Sequence, residues 1–428
     1  RPGGGGRRRG GPGRRAASGR RPAWSGAGWG AGGGRGTGGE GQAGSGESTG
    51  GRPGGHGRLG WLFEPRRATV AAVSLFIVVL AGLVQVSFGA YSMTVGQAWR
   101  AVLDPAVLLD PRWFLNFLLG EEPMRAVTGF RGELPELARE TLVVWSIRLP
   151  RVFVAVVVGM NLAVSGAIFQ AVTRNELASP FILGVSSGAG LTILLTLVVF
   201  GGLSAFLPLI AALGGSVAFL IVYAIAWKNG TSPVRLVLAG VIVGTVFNSL
   251  QTGLFFFADD IGVVQSAIQW TTGSLTGTDW EQVRTALPWT LVAVVLSLVG
   301  SRQLNLLLLG EQTAKSLGMS IERVRFALSG VAVLAAAASI AVAGIVSFVG
   351  LIVPHVVRNL VGSDYKRVIV GCLFVGPALM VGADVGARLG VSVLTGADAQ
   401  IPVGIVTGLV GGPYFLYLMR RRQNVGEL

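Results

Sequence analysis

VAVLAAAASIAVAGIV, residues 331–346, holds one serine and no charge in its sixteen positions, and VAAVSLFIVVLAGLV, residues 70–84, repeats that character far from it in the chain. Neither stretch places polar residues at helical or strand spacing, so neither has one wet face. Both are written to be buried on every side. For apolar runs near 20 residues long, the medium that buries them is the roughly 30 Å hydrocarbon layer of a bilayer. Such runs recur along a chain of 428 residues that is 51% hydrophobic and only 13% charged.

Apolar length places spans near residues 69–90, 152–172, 181–199, 205–227, 236–257 and 286–300. The first is too long for the apolar core of a signal peptide and reads as a span. The run 326–361 is too long for one helix, and Gly344 and Ser347 mark a tight reversal inside it. Arg302, Lys315, Arg323 and Arg325 precede it and Lys366 and Arg367 follow it, which puts both flanks on the cytoplasmic face and demands two crossings. Spans near 368–389 and 402–419 complete an all-α, polytopic membrane helical bundle of about ten transmembrane helices. An even number leaves both termini on one side. The basic N-terminal segment and Arg420, Arg421 and Arg422 select the cytoplasm. Residues 91–147 and the loop carrying Asp259, Asp260, Asp279 and Glu281 then lie outside. Spans two to five and seven to ten start on opposite faces, as in an inverted repeat, though no sequence echo accompanies the arrangement.

The formal net charge of +14 is concentrated in residues 1–67, a Gly/Arg-rich segment with too few apolar residues to offset the entropy of ordering. A disordered cytoplasmic tail attracted to anionic lipid follows, and its RGG-like pieces such as residues 33–36 do not require a nucleic-acid partner. Cys372 is the only cysteine, which excludes an intramolecular disulfide and a multi-cysteine metal site. The lysines Lys228, Lys315 and Lys366 follow Trp227, Ala314 and Tyr365, so none sits in a phosphate-binding P-loop. A serine-hydrolase elbow, a paired-histidine zinc motif and a carboxylate dyad are missing too. No catalytic, cofactor-binding or metal-binding residue is expected. Ionisable residues inside the spans reduce to His355, Arg358, Asp384 and Arg388, near helix ends. Asp384 and Arg388, at i and i+4, are expected to neutralise each other, and His355, after Pro354, to cap or pack a broken helix rather than to ligate metal. An ion-coupled secondary carrier or a siderophore exporter, the competing reading, normally needs buried coupling charges. The energy must be delivered by another chain.

From Arg148 to Arg420 the sequence carries RLPR (148–151), VSGA (164–167), QAVTRNELA (170–178), LGVSSGA (183–189), WTTGSL (270–275), LNLLLLGE (304–311), AKSLG (314–318), FVGLIVPH (348–355) and IPVGIVT (401–407). In that order these resemble the FecCD family, permease subunits of iron-siderophore, heme and vitamin B12 ABC importers. Glu176 departs from the family's usual proline, and Gly344-Ile345 from its Gly-Pro or Gly-Ala. The resemblance implies a transport subunit, not an enzyme, with three parts: a tail (1–67), a permease domain (68–422) and a short C-terminal tail (423–428).

It also implies partners: a second permease subunit, identical or a close paralogue, ABC ATPase subunits, an extracytoplasmic substrate-binding protein, and a metal-chelate substrate. Residues Gly310, Glu311, Ala314, Lys315, Leu317 and Gly318 correspond to the family's coupling helices, which sit in a groove of the ATPase. Arg148, Arg151 and Arg388 correspond to docking positions for acidic side chains of the binding protein, a task for which the planar guanidinium fork is suited. Asn175 and Leu177, with Thr231 and Ser232, resemble cytoplasmic gates below the ligand.

Overall fold

The computed structural model describes residues 65–87, 91, 93–228, 230–258, 260–395 and 400–425. The expected tail over residues 1–64 and the last three residues of the expected C-terminal tail lie outside these. The chain enters α1 (Pro65–Ser87), then a run of short helices: α2 (Val95–Val102), α3 (Pro105–Leu108), α4 (Pro111–Leu119), α5 (Glu121–Thr128) and α6 (Arg139–Val143). A π-helical turn leads into α7 (Leu149–Val172), followed by α8 (Val185–Val198), α9 (Leu207–Ala226), α10 (Pro233–Phe255), α11 (Ile261–Thr272) and α12 (Trp280–Val299). The chain finishes with α13 (Ser301–Leu308), α14 (Glu311–Ser316), α15 (Ile321–Ala343), α16 (Val349–Val361), α17 (Tyr365–Thr395) and α18 (Val403–Val425).

Among the described residues seven helices are long and apolar enough to cross a membrane, and three shorter apolar ones, in α8, α16 and α18, bring the set to ten. The chain is a multi-pass membrane protein. Boundaries move where proline acts: α1 starts at Pro65, inside the segment expected to be tail, and α10 at Pro233, because a proline in the first turn sacrifices an N–H that has no helical partner. Residues 181–184, expected to be helical, instead form a turn that ends on Gly184 at φ 85°.

The reversal expected at Gly344 and Ser347 falls between α15 and α16, and its backbone is not left bare. Ile345 N–H donates to Trp270 O (2.8 Å), Ser274 N–H to Ala343 O (2.9 Å) and Gly404 N–H to Gly273 O (3.1 Å), so three irregular segments satisfy one another. Non-helical backbone at membrane depth survives only where protein supplies such partners. Gly344, at φ 68°, has no room for a side chain: a Cβ there would lie 2.3 Å from Trp270 O.

α7 and α15 are the central helices, with 78% and 72% of their most apolar windows buried, against 22% for α1 and 28% for α10 and α12. They run antiparallel, since Ser165 Oγ–H donates to Ala332 O (2.6 Å) and Ser339 Oγ–H to Val158 O (3.4 Å). α16 crosses α7 so closely that a Cβ on Gly166 would fall 1.7 Å from Gly350 O. Small residues thus let two backbones touch where lipid offers no hydrophobic drive.

Residues 91–147, read from sequence as one long loop, are mostly helical. They dock on the start of α12 through Trp280 Nε1–H to Trp145 O (2.5 Å), Trp145 Nε1–H to Ala101 O (3.0 Å) and the stacked rings of Phe117 and Trp145.

Candidate functional site

Polar side chains gather at the two ends of the α7/α15 core. At the end where α7 begins, Arg151 grips Asp384 of α17 with two bonds, Nε–H to Oδ2 (2.9 Å) and Nη2–H to Oδ1 (2.8 Å), and gives a third, from Nη1, to Gln400 Oε1 (2.8 Å). Gln85 of α1 donates to the same carboxylate. Arg388 is therefore not the main partner of Asp384 as its i+4 spacing suggested; it reaches Gln85 O instead (3.2 Å). The turn of α17 that points Asp384 into the core aims Arg388 along α1. Arg148, one helical turn before Arg151, donates to Val86 O and to Tyr91 O (2.5 Å). Of the three arginines expected at a docking surface, Arg148 and Arg151 are buried and spend their donors inside the bundle, and Arg388 is half-buried.

At the opposite end, Gln170 of α7 bridges to α16. Its Nε2 donates to Gly350 O (3.4 Å) and Leu351 O (3.3 Å). Pro354 lacks the N–H that would bond Gly350 O, and the amide of Gln170 takes that place, so α16 continues through its proline unbroken. His355 accordingly does not pack a broken helix; its Nδ1 stands 3.7 Å from Glu176 Oε2, the residue that departs from the family's proline. Arg358 donates to Gln170 Oε1 and to Tyr365 Oη (3.2 Å). Asn175 turns its own chain, Oδ1 accepting from Leu177 N–H (2.9 Å), with Leu177 exposed beyond it.

The helix–turn–helix of α13 and α14 lies at this end also. Gly310, at φ 104°, and Gly318, at φ 81°, bracket α14 and let the chain turn sharply on both sides. Ala314 is fully buried and anchors the short helix, while Lys315, Leu317 and Gly318 are exposed. Glu311, its first residue, accepts from Arg325 Nη2–H of α15 (2.7 Å). Arg325 Nη1–H in turn bonds Thr231 O (2.5 Å), so an expected coupling residue and an expected gate residue are brought together by a third. Ser232 follows at the start of α10, whereas Asn175 and Leu177 are held by separate bonds.

Sequence reasoning missed Arg325, taken there only as one more cytoplasmic charge, along with Gln170, Gln85 and Glu322. A signal existed for Arg325: it sits one turn inside the apolar run 321–343, three residues after Glu322. No group of three or more metal-ligating side chains exists among the described residues.

A last feature is a stripe on α10. Thr245, Asn248, Ser249 and Thr252, at i, i+3, i+4 and i+7, are all exposed. The three hydroxyls each donate to a carbonyl one turn back, so the cost of a lipid neighbour falls on the exposed Asn248 amide, whose Oδ1 accepts from Gln251 Nε2–H (3.0 Å).

Comparison with known proteins supplies the context. A model described as the FecCD transport family matches residues 75–421. The iron(3+)-hydroxamate import system permease protein FhuG of Bacillus subtilis is 38% identical over 320 residues, covering 72% of this chain and 93% of that one. The cobalamin import system permease protein BtuC of Halobacterium salinarum is 40% identical over 296 residues, 68% of this chain and 76% of that one. The hemin transport system permease protein HmuU of Yersinia pestis is 38% identical over 288 residues, 66% and 84% of the two chains. Among solved structures, an inward-facing transporter assigned to the metal-chelate ABC type superposes with a TM-score of 0.66 at 27% identity, over 83% of this chain and 99% of that chain.

Proposed function

The chain belongs to the FecCD transport family, and from that premise we propose that it is the membrane permease subunit of an ABC importer for a ferric-siderophore, heme or cobalamin-type chelate. The observation that carries this is the alignment with import permeases for three such cargoes at 38–40% identity over 66–72% of the chain. ATP is hydrolysed on a separate ATPase chain, which the exposed face of α14, with Lys315 and Leu317, meets. A second permease, identical or a paralogue, completes the pathway, and the polar stripe of α10 faces that pathway, where water rather than lipid solvates it. The α14 end is cytoplasmic, as are both termini, which agrees with the arginines and lysines around it. An extracytoplasmic binding protein docks at the Arg151 end, where Arg388 retains open surface. Residues 1–64 stand outside the transport machine.

The test is uptake of labelled ferric hydroxamate, ferric citrate, hemin and cobalamin into proteoliposomes holding the permease with its ATPase and binding protein. ATP-dependent uptake of at least one chelate is expected, unchanged by deleting residues 3–51. Uptake that ignores ATP and follows a proton or sodium gradient overturns the reading in favour of a secondary carrier.

A further inference from the structure

Three segments converge on one buried cation at the α14 end. Arg325, one turn into α15, is the largest fully buried side chain among the described residues. Its Nη2 donates to Glu311 Oε1 at the start of α14 (2.7 Å), and its Nη1 to Thr231 O (2.5 Å) and Thr231 Oγ1 (3.1 Å) in the turn between α9 and α10. Glu322, one turn earlier, closes the ring by accepting from Thr231 N–H (3.0 Å) and Thr231 Oγ–H (2.6 Å). The turn itself is tight, with Gly230 at φ 115° and a single antiparallel bridge between Trp227 and Thr231. Beneath the ring, Tyr223 of α9 and Phe326 of α15 meet edge to face, with centroids 5.1 Å apart.

Such an arrangement transmits position. A guanidinium is planar and holds two partners in fixed directions, while an ammonium is a point charge that serves them without a fixed geometry. Both fork ends are charge-assisted or aimed at a backbone carbonyl; water and salt reach the 38% exposed Glu311 carboxylate and weaken that end, while the buried bond to Thr231 O is shielded from them. If α14 shifts and carries Glu311 with it, Arg325 has two options. It follows and drags Thr231, or it stays with only the more distant Glu322 Oε1 (3.5 Å from Nη1) as its carboxylate partner, a weaker pairing that a buried charge resists.

We propose that Arg325 is the positioning residue that couples displacement of α14 to the Thr231–Ser232 turn, making the ATPase-facing helix and the inner closure one mechanical unit. This rests on the importer reading above and adds to it the route by which the push travels.

The test uses the whole complex in proteoliposomes with Ser232→Cys as reporter, since the native Cys372 is buried. Thiol labelling is measured without nucleotide and with ATP trapped by vanadate, and uptake per ATP hydrolysed is measured alongside. With Arg325 intact, the labelling rate changes about fivefold or more between the two states, the size of an ordinary coupling between sites. Arg325→Lys, which keeps charge and bulk but loses the fork, removes the change and lowers uptake per ATP about tenfold. Glu311→Gln, which keeps the shape of α14, shifts both in the same direction and covers the case in which the lysine variant fails to assemble. An undiminished nucleotide response in both variants overturns the role of Arg325 while leaving the importer reading intact. A reporter that ignores nucleotide with Arg325 present overturns the coupling reading itself, and this one with it.

Discussion

Replacing Asp384 by leucine removes the carboxylate on which Arg151 and Gln85 converge while preserving roughly its volume. Arg151 then keeps only its bond to Gln400, and its charge stays in a site where the side chain is 10% exposed and that of Asp384 was 1%. Because the site is nearly closed to solvent, little screening rescues the orphaned cation. Removing one partner of such a pair costs about 3–5 kcal/mol. With an unfolding entropy near 2.1 cal/mol/K per residue, a loss of about 4 kcal/mol lowers the Tm of a domain this size by about 5 °C. The double replacement, Arg151→Met with Asp384→Leu, removes both charges and is expected within about 1 kcal/mol of the unaltered chain; with each single replacement costing about 3–5 kcal/mol, the coupling is about 5 kcal/mol or more. The assay is thermal unfolding of the unaltered chain, both single variants and the double variant in lipid nanodiscs, followed by tryptophan fluorescence. A loss in the double variant equal to the sum of the two single losses, with coupling under about 0.5 kcal/mol, would show that Arg151 and Asp384 do not hold α1, α7 and α17 together as a charged pair.

Two other outcomes follow from the packing and the surface. Gly166→Leu drives a side chain into the backbone of Gly350 and separates α7 from α16; overpacking of this kind costs about 1–3 kcal/mol or more, and membrane abundance should fall sharply, whereas Gly330→Leu, with nothing within 4 Å of its Cβ position, should leave abundance unchanged. Leu317, 61% exposed on the far side of the anchoring Ala314, should matter for assembly and not for folding: Leu317→Arg is expected to weaken co-purification of the ATPase about tenfold at unchanged Tm, consistent with loss of an interface anchor worth about 1.4 kcal/mol.

The sequence by itself determined that this is a helical membrane protein with ten apolar segments, and through ordered motifs such as LNLLLLGE (304–311) and FVGLIVPH (348–355) it pointed to the family. Both depend on quantities that add along the chain: apolar length, charge bias and local identity. The reversal at Gly344 was legible for the same reason, because a glycine interrupts an apolar run wherever the chain lies. What touches what was not legible. Asp384 and Arg388 are four residues apart and should meet on one helix face, yet Asp384 belongs to Arg151, 233 positions earlier. Arg325 read as one charge among several at a cytoplasmic flank, and only the approach of α14 and the 227–232 turn to the start of α15 makes it a junction. Gln170 lies in QAVTRNELA (170–178) with nothing in its neighbours to give it a role, which comes from Pro354, on another helix, leaving a carbonyl without a partner. In each case the deciding quantity is the loss of water around a polar group, which makes its partner obligatory. That loss is set by which helices pack together, so only the tertiary structure decided the polar wiring at the two ends of the bundle.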